Sequence, residues 1–320
     1  PGVYVSDPGE DDVAVPELIS EATRAAAVAH LWHAFRVLEQ GRRLDVVRLQ
    51  DAVDNIVDEI LAEPQVLKGL ADLRSHDMYT FGHSVDVCAL SVAIGRALNL
   101  PPEQLRVLGL GALLHDIGKI GVPAEILRKP GRLTAEEWRY IYEHPRLGFD
   151  ILRRYHEVPV PAAHVAYQHH ERLDGSGYPR GLAGDQVHPY GRIAAVADVF
   201  DAMCSLRTYR PGFPVHEVLA FLQDHSGTLF DPDAVACLGR IVAPYPLGTT
   251  VRLNTGEIGL VVALVPEDGQ RPTVRILRDA DGRVVDARVY RELHKDPSVS
   301  IVAVVDLGEL ADGQEEAARE

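Results

Sequence analysis

The sequence predicts a mainly α chain, with a helical extension at its start and a small β-barrel-like or β-sheet domain at its end. Three observations predict it. Apolar residues recur at helical period at Leu44, Val47, Val53, Ile56, Val57 and Ile60. From Asp77 to about Tyr245, helical runs alternate with loops rich in Gly and Pro. Beyond Pro246 the texture changes to alternating apolar runs around two turn signals, Asn254-Thr255-Gly256 and Asp281-Gly282.

In chain order, an acidic, loop-like start up to about Glu17 precedes helical stretches from Leu18 to Gln40 and from Leu44 to Ala62. The heptad pattern is too short to assert a coiled stalk, so these read as packing helices. Residues 1–76 are expected to form an N-terminal helical extension, the end of a regulatory or dimerisation region. Residues 77–245 form the expected helical core. Within it Thr134 and Glu137 make a capping box ahead of Trp138 to Tyr142, while Asp231 caps a helix with Pro232 at its first position. Residues 246–310 form a β domain of about five strands, closing with SIVAVVDL, and the Glu-rich 311–320 reads as a disordered tail. Arg252, Arg271, Arg275 and Arg278 in that domain have acids nearby, and packing or dimerisation is its expected role.

A chain of 320 residues is too long for one small core and suits a main domain with an appendage. The net charge of −15 argues against binding extended nucleic acid, and no apolar run is long enough to span a bilayer, so no membrane contact is expected. Cys88, Cys204 and Cys237 are odd in number and lie in apolar helical stretches, as reduced thiols of a cytoplasmic protein would. The chain opens at Pro1 without an initiator Met or a signal segment, which fits a piece trimmed from something longer.

The chemistry is concentrated in the helical core. His83, His115-Asp116, His144 and His169-His170 recur there and close on Asp198, inside the apolar run IAAVADVFDA. Any one of these alone is ordinarily a core or surface residue. Seven together, with carboxylates set where a charge would face the interior, call for a metal or an ion pair, because an unpartnered buried carboxylate costs several kcal/mol, on the order of 3 or more. Imidazole with carboxylate and no thiolate suits Fe, Mn, Zn, Ni or Co. Adjacent ligands at His115-Asp116 let the histidine serve one ion while the carboxylate bridges to a second. Two close ions then hold a bridging water acidic enough to be hydroxide near neutral pH.

Together YTFGHS, HDIGK, EHP, HHERLDGSGYP and ADVFDAMCSLRTYR resemble the HD-GYP domain, the bacterial cyclic di-GMP phosphodiesterase branch of the HD hydrolases. The resemblance covers Asp77 to about Tyr245, roughly half the chain, and implies an HD-type helical bundle. It implies that His83, His115, Asp116 and Asp198 hold one divalent transition-metal ion, Fe or Mn before Zn, Ni or Co. His144, His169 and His170 hold the second, with Asp116 bridging. Lys119 falls beside the attacking hydroxide and a substrate phosphate oxygen. Arg207, Tyr209 and Arg210 are placed to hold the second phosphate and stack a guanine. The loop with Gly175, Gly177, Tyr178 and Pro179 shapes the site or docks signalling partners, and a homodimer is allowed for. Three-metal relatives carry Glu one turn before the first histidine, where this chain has Tyr79, so two ions are expected.

The implied activity is hydrolysis of cyclic di-GMP to pGpG, and on to GMP with a second cut. Two alternatives stand beside it. A cyclic di-GMP sensor without turnover would signal through partners, although effector-type relatives often lose ligands. An HD hydrolase of nucleoside phosphates would share His83, His115-Asp116 and Asp198 but would not be expected to carry HHERLDGSGYP.

Overall fold

The computed structural model describes residues 18–62, 79–129, 131–205, 212–265 and 269–305; the acidic start and the 311–320 tail lie outside the described residues. These residues fall into a helical unit that ends at Ile241 and a β unit that begins at Val242.

The helical unit comprises α1 (Glu21–Glu39), α2 (Val46–Ala62), α3 (Tyr79–Ala97), α4 (Pro102–Leu113), α5 (Ala124–Leu127), α6 (Ala135–Leu152), α7 (Val160–Gln168), α8 (Pro189–Cys204), α9 (Val215–Asp224) and α10 (Pro232–Ile241). The organising element is α3. Every residue from His83 to Gly95 is buried, and α1, α2, α4, α8 and α10 pack around it. A helix buried on every face, with its few polar residues His83, Ser84, Asp86 and Ser91 enclosed, belongs at the centre of a bundle. It stops where Asn99 takes a positive φ of 61° and Leu100 N–H donates back to Gly95 C=O at 3.0 Å, a left-handed cap.

The two N-terminal helices belong to the same compact unit. Ser20 caps α1 through Thr23 N–H, and α2 buries Leu49, Val53, Ile56 and Ile60 along one stripe. Each such side chain contributes about 1.5–3 kcal/mol of burial. Arg24 of α1 is ion-paired with the buried Asp86 of α3, three residues beyond His83. The capping box at Thr134 and Glu137 forms at the start of α6, and Asp231 Oδ1 accepts from Ala234 N–H at 3.1 Å at the start of α10.

The β unit is a five-stranded antiparallel sheet in the order β4-β3-β2-β1-β5, with β1 Thr250–Leu253, β2 Ile258–Ala263, β3 Thr273–Arg278, β4 Tyr290–Glu292 and β5 Ile301–Val304. Strand alternation is visible in β1, where Val251 and Leu253 face the small core and Arg252 faces out. Both expected turns form: Gly256 (φ 88°) lies between β1 and β2, and Gly282 (φ 82°) follows β3. Arg271 donates to the main-chain carbonyls of Leu293, Asp296 and Val299, tying that loop down rather than answering a side-chain acid.

Among the described residues, no helix is long and apolar enough to cross a membrane. Cys88, Cys204 and Cys237 are free thiols.

Candidate metal centre

Five helices of the bundle direct side chains at one point. His83 lies on α3, His115 and Asp116 just beyond α4, His144 on α6, His169 and His170 at the end of α7, and Asp198 on α8. His144 and His169 are fully buried, and His115 and Asp116 are 1% and 2% exposed. Ligand atoms gather in three overlapping groups, His83-His115-Asp198, His115-Asp116-His169 and His144-His169-His170, within 4.8 Å in each. The sequence separates these residues by more than a hundred positions; the fold brings all seven together.

Three of the histidines are aimed by main-chain carbonyls. Pro145 lacks the N–H that would bond the carbonyl of Ile141 four residues back, and His144 Nδ1 takes that carbonyl at 2.6 Å. This gives a physical reason for His-Pro in the EHP segment. His115 Nδ1 reaches Ala112 C=O at 2.7 Å, a carbonyl that also accepts the His115 main-chain N–H at 3.3 Å, and His169 Nδ1 reaches Ala166 C=O at 3.1 Å; both carbonyls lie in the last turn of a helix, where regular i to i+4 bonding ends. A proton held on Nδ1 in this way leaves the Nε2 lone pair directed inward, as a metal ligand requires.

Asp116 is the hub. Its Oδ2 lies 3.3 Å from His115 Nε2, while its Oδ1 faces His144 Nε2 at 3.3 Å and His169 Nε2 at 3.9 Å. Asp198 Oδ1 approaches His83 Nε2 at 3.1 Å and His115 Nε2 at 3.9 Å, and its Oδ2 lies 3.8 Å from His170 Nδ1. Among the described residues, the buried His115 Nε2 and Asp116 Oδ1 have no hydrogen-bond partner. Leaving such groups unsatisfied costs about 1–3 kcal/mol each, so the donor set fits a divalent cation, which would satisfy both.

Electrostatics divides the cluster. Burial opposes charge on His83, but hydrogen bonds with Asp198 and Asp201 outweigh it and push its pKa up to about 10. Burial lowers His144 to about 4 and His170 to about 3, and holds His169 well below the usual imidazole range. Burial would raise both carboxylates, yet Lys119 and His115 hold Asp116 far below the usual range, and His83 and His170 do the same for Asp198.

Lys119 lies in the 3-10 turn Ile117–Gly121 and donates from Nζ to Asp116 Oδ2, with its side chain 27% exposed. Gly118 lets that turn lie against α6: a Cβ there would sit 2.0 Å from His144 O. The GYP loop folds over His170. Gly175 has φ 80°, a Cβ on Gly177 would sit 2.5 Å from His170 O, and Tyr178 N–H donates to that same carbonyl at 3.2 Å. Pro179 follows through a cis peptide bond. Arg207, Tyr209 and Arg210 lie outside the described residues, and so does the side chain of Tyr79, which opens α3.

Two functional residues escaped the sequence reading. Asp201 Oδ2 lies 2.6 Å from His83 Nδ1, so it is the group that orients that ring. The signal was present, since Asp198 and Asp201 stand three apart on one helical face. Glu171, 2% exposed, accepts Arg180 N–H and Leu182 N–H at 2.9 Å each and anchors the far side of the GYP loop.

The helical bundle and its His-Asp cluster define a metal-binding domain of the HD class. The chain belongs to the HD domain family, whose model matches residues 56–234, and a model for a KOW domain associated with the HD domain matches residues 250–313. The HD-GYP resemblance read from the motifs is borne out by its relatives. The chain is similar to the cyclic di-GMP phosphodiesterase PA4108 of Pseudomonas aeruginosa, 37% identical over 275 residues, covering 86% of this chain and 65% of that protein. It is also similar to the cyclic di-GMP phosphodiesterase response regulator RpfG of Xanthomonas campestris pv. campestris, 43% identical over 151 residues, covering 46% of this chain and 39% of that one. The chain therefore spans less than two thirds of either relative. In fold it resembles a solved HDG"Y"P protein from Bdellovibrio bacteriovorus, with a TM-score of 0.58 and 22% identity over 72% of this chain and 74% of that one.

Proposed function

We propose that this chain is a metal-dependent phosphodiesterase that hydrolyses cyclic di-GMP to pGpG, and on to GMP where a second cut follows. The observation that carries the reading is Asp116, whose two oxygens face different histidines at the centre of a buried cluster. Relatives named cyclic di-GMP phosphodiesterases supply the substrate class.

His83, His115, Asp116 and Asp198 would hold one ion, and His144, His169 and His170, with Asp116 shared, the other. Two is the expected number because Tyr79 stands where three-metal relatives carry Glu, and Fe or Mn are the expected metals. Two such ions, when bound, supply a water of lowered pKa for attack on phosphorus and positive charge for the nonbridging oxygens. The protein's own groups set the rest. Nδ1 contacts with carbonyls and with Asp201 fix the histidine rings before substrate arrives. Lys119, partly buried beside Asp116, places a cation where a phosphate oxygen would enter an otherwise acidic protein. Arg207, Tyr209 and Arg210 complete the reading as contacts to the second phosphate and a base. The GYP loop, close to His170, is proposed to shape the site and to meet signalling partners. Division of the chain at 76/77 and 245/246, a homodimer and a cytoplasmic setting belong to the same proposal.

The direct test is anaerobic incubation of the protein, loaded separately with Fe(II) and Mn(II), with cyclic di-GMP, followed by chromatography of the nucleotides. Appearance of pGpG or GMP, lost in Asp116→Ala, is the expected result. Intact nucleotide bound tightly in both metals would replace the enzyme reading with the sensor reading.

A further inference from the structure

The first half of α6 adds nothing to the core. From Ala135 to Glu143 no residue is buried, yet this stretch carries Trp138, Tyr140 and Tyr142, which are 42%, 51% and 45% exposed. The chain has only 2 Trp and 11 Tyr, so three such exposed rings in nine positions, none of them buried, need a reason other than packing. The helical repeat places Trp138 and Tyr142 on one face, where their rings stack at 5.5 Å and 28°. The row continues inward. Tyr142 lies 4.5 Å from the ring of Tyr178, and Tyr178 stacks on His170 at 4.6 Å and 27°. His170 is thus the inner end of a run of rings whose outer members are open to solvent. Rigidity comes from the helix start rather than from burial: the capping box holds Thr134 and Glu137, and Lys129 Nζ donates to both Glu137 oxygens at 2.8 and 2.7 Å.

We infer that Trp138 and Tyr142 form a stacking platform for a purine base of the substrate, continuous with the metal centre through Tyr178 and His170. The inference rests on the reading of the cluster as a cyclic-dinucleotide phosphodiesterase. A phosphodiester held at the cluster carries its base outward by one sugar, and the surface it meets in this direction is a row of π faces. A purine presents two fused rings to such a row and gains from stacking without any specific hydrogen bond. The platform therefore favours purine-containing cyclic dinucleotides over smaller phosphodiesters and leaves the choice between purines to other contacts.

The test uses the Mn-loaded chain and cyclic di-GMP. Trp32→Phe, an exposed position on α1, leaves Trp138 as the sole tryptophan. Its emission should then be quenched saturably as nucleotide is added. In Trp138→Leu/Tyr142→Leu, whose fold is checked by an unchanged Tm, KM should rise by about tenfold or more while kcat stays within about twofold. Wild-type binding and cleavage with no quenching and no change in KM overturns the platform and leaves the phosphodiesterase reading intact. If the wild type neither binds nor cleaves cyclic di-GMP, both fall together.

Discussion

The His-Asp cluster has two poles of different character. At one, His83 lies between Asp198 and Asp201, so its ring is held protonated up to about pH 10 in the absence of metal. At the other, His144, His169 and His170 face one another with Asp116 as the nearest acid for the first two, and burial keeps all three neutral. A cation entering the first pole must displace a proton, whereas the second offers lone pairs already free. The difference shows that a uniform-looking row of histidines in the sequence is two chemical environments, set by where the carboxylates fall.

The largest expected effect removes the group the poles share. Asp116→Ala should lower both bound metal and turnover by more than the ~100-fold typical of changes behind the ligands, as read by elemental analysis and product chromatography. Turnover that survives loss of metal would contradict the mechanism. Next comes Asp201→Asn, which touches only the carboxylate pole. Metal affinity there should weaken by about 10–100-fold while the imidazole pole stays loaded, visible as a split in a metal titration. Equal weakening at both poles would erase the distinction.

Gly118→Ala attacks the junction. Its added methyl would meet the main chain of α6 at His144, so the loss of stability should be about 1–3 kcal/mol in denaturant melts. A neutral result would show that the turn and α6 can separate freely. The smallest effect is on pH dependence of the metal-stripped protein. His144 and His170 have folded pKa values near 4 and 3, below the unfolded value of 6.5, so the unfolded chain takes up protons first as pH falls. Stability should therefore be lost between pH 6.5 and 4. His83, with its raised pKa, is protonated in the folded state throughout and in the unfolded state below about 6.5, so it offsets this loss only near the top of the range. A Tm that is the same at pH 7 and pH 5 would argue against neutral buried imidazoles at the second pole.

Much of this site was legible because it is written in residue types that do not belong where they stand. Asp198 within IAAVADVFDA and His115-Asp116 after GALL are polar groups in apolar runs, and the turn signals at Asn254-Thr255-Gly256 and Asp281-Gly282 are local chemistry. Asp201 was missed although it lies in the same segment, because nothing local says that it meets a ring 118 positions earlier. Glu171 was missed because a glutamate beside two histidines looks like a solvated charge until the GYP loop folds its N–H groups onto it. Trp138 and Tyr142 read as part of a helix; their exposure, and their contact with Tyr178, depend on how α6 sits against that loop.

By itself the sequence determined the inventory of histidines and carboxylates in the cluster, the capped helix starts, the hairpin turns and the change from helical to strand texture at Pro246, because each is legible from residue types and interactions within a few residues. Only the tertiary structure decided which carboxylate faces which histidine, which imidazoles charge and which stay neutral, and which aromatic rings meet one another beside His170. Those outcomes depend on how helices distant in sequence pack around α3, and burial and Coulomb interactions are fixed only once that packing has set the distances.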